Sequence, residues 1–596
     1  MPTYAAPLRD MKFLLNEVID LQKYSDLAGY AEATPDVIEA VLEEAAKFTG
    51  EVLAPLNLPG DAEGCHWDNG VVRTPKGFKA AYDTYLQGGW QGLTASAEWG
   101  GQELPQVLGL AVSEMMIAAN WGFAMYPGLT KGATEAIEAH ASHDLKKLYL
   151  PKMISGQWSG TMNLTEPHCG TDLGLLRTKA EPQADGSYKI TGTKIFISAG
   201  EHDLTENIIH LVLARIPGGP EGIKGISLFI VPKLLPNADG SVGARNGVSC
   251  ARIEEKMGIH SNATCVLNYE NATGWLVGEQ HKGMRAMFTM MNEARLAVGL
   301  QGLGIAQVAY ENAVAYAKER RQGRALKGPA EPDQPADSIL VHPDVRRMLM
   351  TVRAFIEGAR ALAFWTGLQV DLARRSGDDK TRERAGDLLA ILTPVIKAYL
   401  TDKGFESTVL AQQCYGGHGY IREWGAEQFV RDARIAQIYE GTNGVQAMDL
   451  VGRKLPADSG RAVRRFFGAI NGFCEENKDD KNIAEFIAPL AATAAQLQDA
   501  TLWLVQNGMS NPENAGAAAH DYLNLMALTA LAYVWAMMAK TAHEKLAGNG
   551  DDKAFYETKL ATGRFFLNRI LPDAATHLAK LKSGAAPVMA LAADAF

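Results

Sequence analysis

Glu440, in the run Ile-Tyr-Glu-Gly-Thr-Asn-Gly-Val-Gln at 438–446, is the residue whose type and neighbours best suit it to chemistry. A carboxylate beside a glycine, on a short turn leading into a helix, can be set against a substrate with little backbone in the way. Held in an apolar site, such a group has its pKa raised toward neutrality, which suits it to removing a weakly acidic proton from carbon. The same residues also read as a surface glutamate at a helix start, because Thr442 and Asn443 are both competent N-caps. The turn by itself favours that plainer reading.

Three further stretches bear on the choice. Met-Asn-Leu-Thr-Glu-Pro-His-Cys-Gly-Thr-Asp at 162–172 offers threonines, an asparagine and backbone amides to a polar ring edge or a phosphate, or is a simple Pro/Gly turn. Phe196 and Ser198 stand two apart at the end of a β-branched run, hence on one face of a strand, where an aromatic and a hydroxyl can flank a flat cofactor or join a core. Gln-Cys-Tyr-Gly-Gly-His-Gly-Tyr at 413–420 places glycines at 416, 417 and 419, a density that makes a tight turn or lets backbone approach a ligand. It is not a G-x-G-x-x-G fingerprint and no βαβ pattern surrounds it, so a Rossmann domain is not expected.

The elements that must position these residues follow from periodicity. Residues 1–160 read as helices and loops, with Val37, Val41, Ala45 and Phe48 on one helical face. Between about 160 and 280 the apolar runs shorten and become β-branched, as in Ile-Ile-His-Leu-Val-Leu-Ala at 208–214, with Asp185-Gly186 and Gly218-Gly219-Pro220 as turns; a small antiparallel barrel or sandwich is expected. Helical spacing returns through 284–320 (Met287, Met291, Ala294, Val298, Ile305, Val308) and again after Pro343 (Val345, Leu349, Val352, Ile356, Ala359), which predicts an antiparallel bundle. The proline-bearing stretch 323–342 reads as an exposed loop. After the break at 455–460 comes a further helical block rich in alanine and leucine. The chain is therefore mainly α with a central β domain, divided as an N-terminal extension (1–36), an N-terminal helical domain (37–159), a middle β domain (160–282), a helical bundle (283–455) and a C-terminal helical domain (456–596).

Bulk properties exclude several classes. At 596 residues the chain exceeds one hydrophobic core, and its 47% apolar and 21% charged content is that of an ordinary globular protein. A formal charge of −10 argues against general binding of nucleic-acid backbone. The six cysteines lack zinc or disulfide spacing, so no metal is expected and a reducing interior is. The N-terminus lacks the pattern of a secretory signal, and the most apolar window, 525–539, is shorter than the ~20 residues that span a bilayer. A cytoplasmic protein without a transmembrane segment is the expectation.

In order along the chain, Thr-Glu-Pro-x-x-Gly-Thr-Asp, Ile-Thr-Gly-Thr-Lys-Ile-Phe-Ile-Ser, Tyr-Ala-Lys-Glu-Arg320, the 413–420 run, and Arg431-Asp-Ala-Arg-Ile-Ala-Gln-Ile-Tyr-Glu-Gly-Thr resemble the motifs of the acyl-CoA dehydrogenase family. The resemblance covers about residues 37–455; the remainder is similar to the long subclass that carries a C-terminal helical domain. It implies a fold of N-terminal helical domain, β-barrel or sandwich and helical bundle. The implied enzyme holds FAD, takes the α-proton of an acyl thioester and passes the β-hydrogen as hydride to flavin N5, giving the trans-2-enoyl-CoA.

On this resemblance Glu440 matches the base, and the thioester carbonyl accepts from the base's own backbone amide and a ribityl hydroxyl, bonds that strengthen as enolate character develops. Met162, Leu164, Thr165 and Thr171 match the segment along the flavin. Phe196 and Ser198 match its other side, with Phe196 where the family usually has tryptophan. Arg320, Gln413, Gly416 and Gly417 match residues that reach FAD from a neighbouring subunit, and Thr442 matches a further cofactor contact. Thr171, Glu293, Arg295 and Gly441 are assigned to the substrate side, Arg295 alternatively to a buried ion pair.

Two departures bear on these assignments. Arg320-Arg-Gln-Gly-Arg324 stands where many members have Arg-x-x-Phe-Gly. Ala294 occupies the position where a few members carry their base, and Glu293 is one residue, hence about 100°, around the helix. The implied partners are an acyl-CoA, either 3-methylmercaptopropionyl-CoA or a short- to medium-chain saturated ester, an electron-transfer flavoprotein, and a second copy of the chain in a homodimer. The alternatives are an acyl-CoA oxidase using oxygen and a non-catalytic, nucleic-acid-associated flavoprotein of the same fold.

Overall fold

A computed structural model describes residues 2–237, 239–548 and 552–596. Its labelled helices are α1 (Pro35–Phe48), α2 (Gln106–His140), α3 (Gly283–Glu319), α4 (Pro343–Arg375), α5 (Asp379–Cys414), α6 (Ala426–Ala433), α7 (Asn443–Asp449), α8 (Arg461–Glu476), α9 (Ala484–Gly508), α10 (Pro512–Ala547), α11 (Lys553–Arg569) and α12 (Asp573–Lys582). The strands of the central sheet are β1 (Trp158–Asn163), β2 (Lys179–Pro182), β3 (Tyr188–Ser198), β4 (Asn207–Arg215), β5 (Ile226–Pro232), β6 (Val248–Ile253) and β7 (Thr264–Val277). Two compact units result: residues 45–104 with 115–297, and residues 1–44 with 105–114 and 298–596.

The first unit holds the β domain. Pairings β7–β3, β3–β2, β2–β4, β4–β5 and β5–β7 close a ring, with β6 added on β7 and β1 on β4. Closure removes open edges within the ring and leaves β1 and β6, each paired to one strand, as the sheet's edges. The ring departs from the antiparallel expectation at β4, which runs parallel to β1 and touches β2 in parallel at Lys179–Arg215. β4 is buried from Asn207 to Ala214, which is why it reads as a continuous apolar run rather than an alternation.

The second unit is helical. A Cβ on Gly302 would lie 2.2 Å from the Leu400 carbonyl oxygen and one on Gly404 would lie 2.4 Å from that of Gly302, so glycine at both positions lets α3 and α5 approach backbone to backbone. Pro343 occupies the first turn of α4, as its fixed φ favours. The expected face of α1 is displaced: Ile38, Leu42 and Ala45 are buried, whereas Val37 is exposed and Val41 only half-buried. The 323–342 loop is more ordered than its prolines suggest. Buried Asp337 accepts backbone N–H bonds from Ala325, Ala330 and Glu331 and pairs with Arg324. Those bonds hold its carboxyl well below the usual carboxylate range, against burial.

The C-terminal helices dock through Trp535 of α10, whose Nε1 would lie 2.7 Å from a Cβ at Gly358 of α4, and through buried charge. Arg360 binds Glu114 (2.6 Å), Asp10 and Gln307, while Lys559 binds Asp10 and Glu357 (2.7 Å), which also pairs with Arg353 (2.8 Å). Most of these groups lie below 10% exposure, where removing one partner costs about 3–5 kcal/mol. α10 and α2 are long and apolar enough to cross a membrane, and 94% of each apolar window is buried inside the protein.

Glu311 lies beside this cluster, accepting from Gln307 Nε2 at 2.5 Å and from the Ala5 amide. Burial pushes its carboxyl up to about 7. An acid whose pKa is raised by folding contributes fully below its unfolded value of 4.5, and that contribution is lost as pH climbs to about 7. Glu311→Gln should therefore raise Tm at pH 8, by a stabilisation of about 1–3 kcal/mol, and leave it near the parent value at pH 5. Thermal melts at the two pH values check this; an equal shift at both would remove Glu311 as the titrating group.

Candidate active site

The helical unit carries the turn at Glu440. After a 3₁₀ turn at Arg434–Gln437, Glu440 and Gly441 take φ of +58° and +81°, and Thr442 then caps α7, its hydroxyl accepting from the Val445 amide at 3.4 Å. For a residue with a side chain the left-handed region costs about 1–2 kcal/mol, so the surroundings must hold it there. They do so from both sides. Buried Gln446 donates its amide to the carbonyls of Glu440 (3.2 Å) and Gly441 (3.3 Å). Asn443 donates to Asp402 (2.7 Å) and the Ala398 carbonyl (3.1 Å) on α5 and accepts from buried Lys397 (2.8 Å). Gln437 reaches the same Asp402 at 2.7 Å, and the Tyr439 hydroxyl donates to Gln301 of α3 at 2.5 Å.

Glu440 is half-buried within this clamp. Glycine is required at 441, because besides the positive φ a Cβ would lie 2.6 Å from Gln446 Nε2. Of the two candidate caps, Thr442 is the cap, and Asn443, in the first helical position, anchors the turn instead.

The helical unit also carries the glycine run. Gly416 has φ +57°, and a Cβ at either Gly416 or Gly417 would meet nothing within 4 Å, so both exposed glycines border open space. Gly419 differs: its Cβ would lie 2.5 Å from the Gln412 carbonyl oxygen. An aromatic brace shapes the run, with Tyr316 stacked on Tyr415 at 4.3 Å, His418 stacked on Trp424 at 4.4 Å, and the Tyr316 hydroxyl bonded to His418 Nδ1 at 2.9 Å. Gln413 and Arg320 are exposed beside it, Arg320 four residues beyond Tyr316 at the end of α3. Exposed glycines that a ligand can approach closely, with an exposed guanidinium on the same brace, suit a pyrophosphate. Tyr316 opens the Tyr-Ala-Lys-Glu-Arg320 motif, but its bracing role and that of Trp424 were not foreseen from the sequence, where the nearest signal is the density of aromatics flanking the glycines.

The β unit carries the other set. β3 bulges against β7: Ile197 pairs with Cys265 and Lys194 with Leu267, so Ile195 and Phe196 face Val266 alone. Phe196 takes φ +60° and is 61% exposed, which is how a bulge re-aims a side chain. The 162–172 segment is fastened to this bulge. The Ile195 amide donates to the Thr165 carbonyl at 2.9 Å, and Lys194 Nζ reaches the Leu164 carbonyl and Glu166 Oε1, each at 2.9 Å.

Glu166 also accepts from the amides of Arg177 and Thr178 and from the Thr178 hydroxyl, so the acid of the Thr-Glu-Pro motif is structural. Burial raises its carboxyl, but Lys194 and these bonds outweigh burial and hold it below its ordinary value. Met162, Leu164, Thr165 and Ser198 are partly exposed and Thr171 is exposed. An exposed ring with hydroxyls and backbone fixed beside it fits one face of a flat, polar-edged cofactor. Lys194 escaped the sequence reading, although a lysine inside a β-branched run was its sign.

The structure thus gathers Glu440, Gly441 and Thr442 in one clamped turn, Arg320, Gln413, Gly416 and Gly417 about one brace, and Met162, Leu164, Thr165, Phe196 and Ser198 about one bulge. On α3, Glu293 pairs with Lys131 at 3.1 Å, and buried Arg295 places its guanidinium 5.9 Å from the Phe288 ring.

The chain belongs to the acyl-CoA dehydrogenase family. Its residues 36–157, 161–272 and 281–455 match the N-terminal, middle and C-terminal domains of acyl-CoA dehydrogenases, and 466–592 match the acetyl-CoA dehydrogenase C-terminal-like domain. It is 44% identical over 580 residues to the 3-methylmercaptopropionyl-CoA dehydrogenase of Ruegeria pomeroyi, covering 97% of this chain and 98% of that one. It is 36% identical over 620 residues to a butyryl-CoA dehydrogenase of Syntrophomonas wolfei, covering 100% and 99%. Among solved structures, Caenorhabditis elegans ACDH-11 in complex with C11-CoA superposes with a TM-score of 0.76 at 18% identity, over 95% of this chain and 91% of that one. An acyl-CoA dehydrogenase of Bacillus anthracis complexed with FAD gives 0.74 at 20% identity, over 92% and 88%. The fold expected from the sequence is the fold observed, and the chain is an FAD-dependent oxidoreductase that dehydrogenates acyl-CoA thioesters.

Proposed function

We propose that Glu440 is the base of this reaction and that the substrate is a short acyl-CoA, 3-methylmercaptopropionyl-CoA or a saturated ester of similar length. The observation that carries the first part is the strained, doubly clamped turn: Gln446 and Asn443 hold a half-buried carboxylate in a conformation that its own backbone disfavours. The Cα–H proton passes to the Glu440 carboxylate, the Cβ hydrogen leaves with its electron pair, and the Cα=Cβ bond forms. The bound flavin supplies the acceptor for that hydride. Gly441 leaves space for the thioester, and Thr442 keeps the turn in register with α7. Gly416, Gly417, Gln413 and Arg320 serve the phosphate and adenosine end of FAD, and Thr165, Thr171, Phe196 and Ser198 its ring.

Substrate length rests on the 44% and 36% identities to enzymes named for short acyl groups, both over nearly the whole chain. Discrimination per methylene is only about 1–3 kcal/mol, so a graded rather than absolute preference follows. Across a panel of acyl-CoA esters, kcat/KM should peak at the methylthio ester or at C4–C6 lengths and fall by tenfold or more toward long chains. α,α-Dideuterated substrate should show a primary isotope effect. A maximum at long chains would overturn the substrate assignment.

The acceptor is proposed to be an electron-transfer flavoprotein and the assembly a cytoplasmic homodimer. The large exposed side chains Tyr420 and Ile421, next to the glycine run, support a neighbouring copy there.

A further inference from the structure

We propose that the helical unit carries a second small-molecule site, remote from Glu440, that takes an amphipathic monocarboxylate with a medium-length apolar body. A cavity of about 350 Å³ lies between the N-terminal extension, α4, α5, α8 and α10, at the low end of the volumes of small-molecule sites. Its walls combine aromatic and aliphatic side chains with polar ones. Trp365 and Tyr533 meet edge to face at 5.2 Å, both buried, and Leu368 and Met537 continue the lining. Its charged lining residues are Lys23 and Arg384, and no carboxylate among the described residues lines it.

Among the described residues Lys23 forms one ion pair, with Asp20 at 3.3 Å and largely in solvent, a contact worth little. Arg384 forms no ion pair among the described residues. The Thr381 hydroxyl is committed to Asp378, and the Gln369 amide donates to the Trp365 carbonyl at 3.3 Å. A chamber with an aromatic and aliphatic side, and with cations as the only charges among the described residues that line it, complements one anionic head on an apolar tail, and it is too small for a coenzyme A moiety.

Two observations separate this chamber from the catalytic machinery. Arg384 precedes Ala398, where the Glu440 turn is anchored, by roughly 20 Å along α5. The lining also draws on residues before 36 and after 455, outside the segments matched to the three common domains of the family. The site therefore requires the extension and the C-terminal helices together.

The test is calorimetric titration of the FAD-loaded, full-length enzyme with decanoate while excess enoyl-CoA product fills the active site. One decanoate should bind per chain, decanol should bind at least about tenfold more weakly, and Arg384→Gln should weaken decanoate by a similar factor, the worth of a charge-assisted bond. Ala469→Trp, at the half-exposed rim, should abolish binding, and both variants should keep their flavin and turnover. No measurable binding to the parent enzyme, displacement by enoyl-CoA, or unchanged affinity in Arg384→Gln would each overturn the proposal.

Discussion

Glu440→Gln is expected to yield an enzyme that keeps its flavin and its affinity for acyl-CoA yet turns over about 10²–10⁴-fold more slowly, the contribution of one positioned general base. Glutamine has the shape of glutamate and suffers the same penalty at φ +58°, so the clamp by Gln446 and Asn443 is retained while the proton acceptor is lost. Glu440→Asp is the informative companion. It keeps the charge but withdraws it by one methylene, and a misplacement of about 1 Å costs on the order of 10²-fold. Turnover with an artificial acceptor and anaerobic bleaching of the flavin by substrate both read the loss. Residual activity in Glu440→Gln within about tenfold of the parent would remove Glu440 from the role.

Lys194→Met should cost about 3–5 kcal/mol of stability and strip flavin from the protein on gel filtration. Lys194 is fully buried and neutralises Glu166, itself 3% exposed, so the substitution strands a buried carboxylate. It also removes the bond to the Leu164 carbonyl that fastens the 162–172 segment to the Phe196 bulge. Glu166→Gln added to Lys194→Met removes the stranded charge and should restore much of the Tm, as a double-mutant cycle would record. Flavin retention should recover less, because the Leu164 bond stays lost. Full recovery of both would mean that the pair acts on stability alone.

The parts legible in the sequence were those fixed by near neighbours. Pro343 announced the start of α4, and the Glu-Gly-Thr order announced a turn before a helix, because first-turn φ, positive φ and capping are decided within a few residues. What escaped depends on distant partners. Val37 and Ile38 are equally apolar, so only packing chooses which faces inward. The Phe196 bulge depends on register against Val266, seventy residues away, and the parallel run of β4 on β1 leaves no local mark. Asp337 in a proline-bearing loop gave no hint that it would collect backbone amides. Glu440 itself was recognisable as a turn, but the residues that hold it come from α5, α7 and α3.

The buried charges joining Asp10, Arg360, Lys559 and Glu357 bear on how such a chain can be shortened. Ending it at residue 455 would take away Lys559 and leave Asp10 and Glu357 short of countercharge, and it would uncover the faces of α4 and α5 on which α10 rests. The C-terminal helices are thus a partner in neutrality rather than an accessory that can be shed. A minimal enzyme cut from this scaffold needs compensating substitutions at Asp10 and Glu357, made together with the deletion.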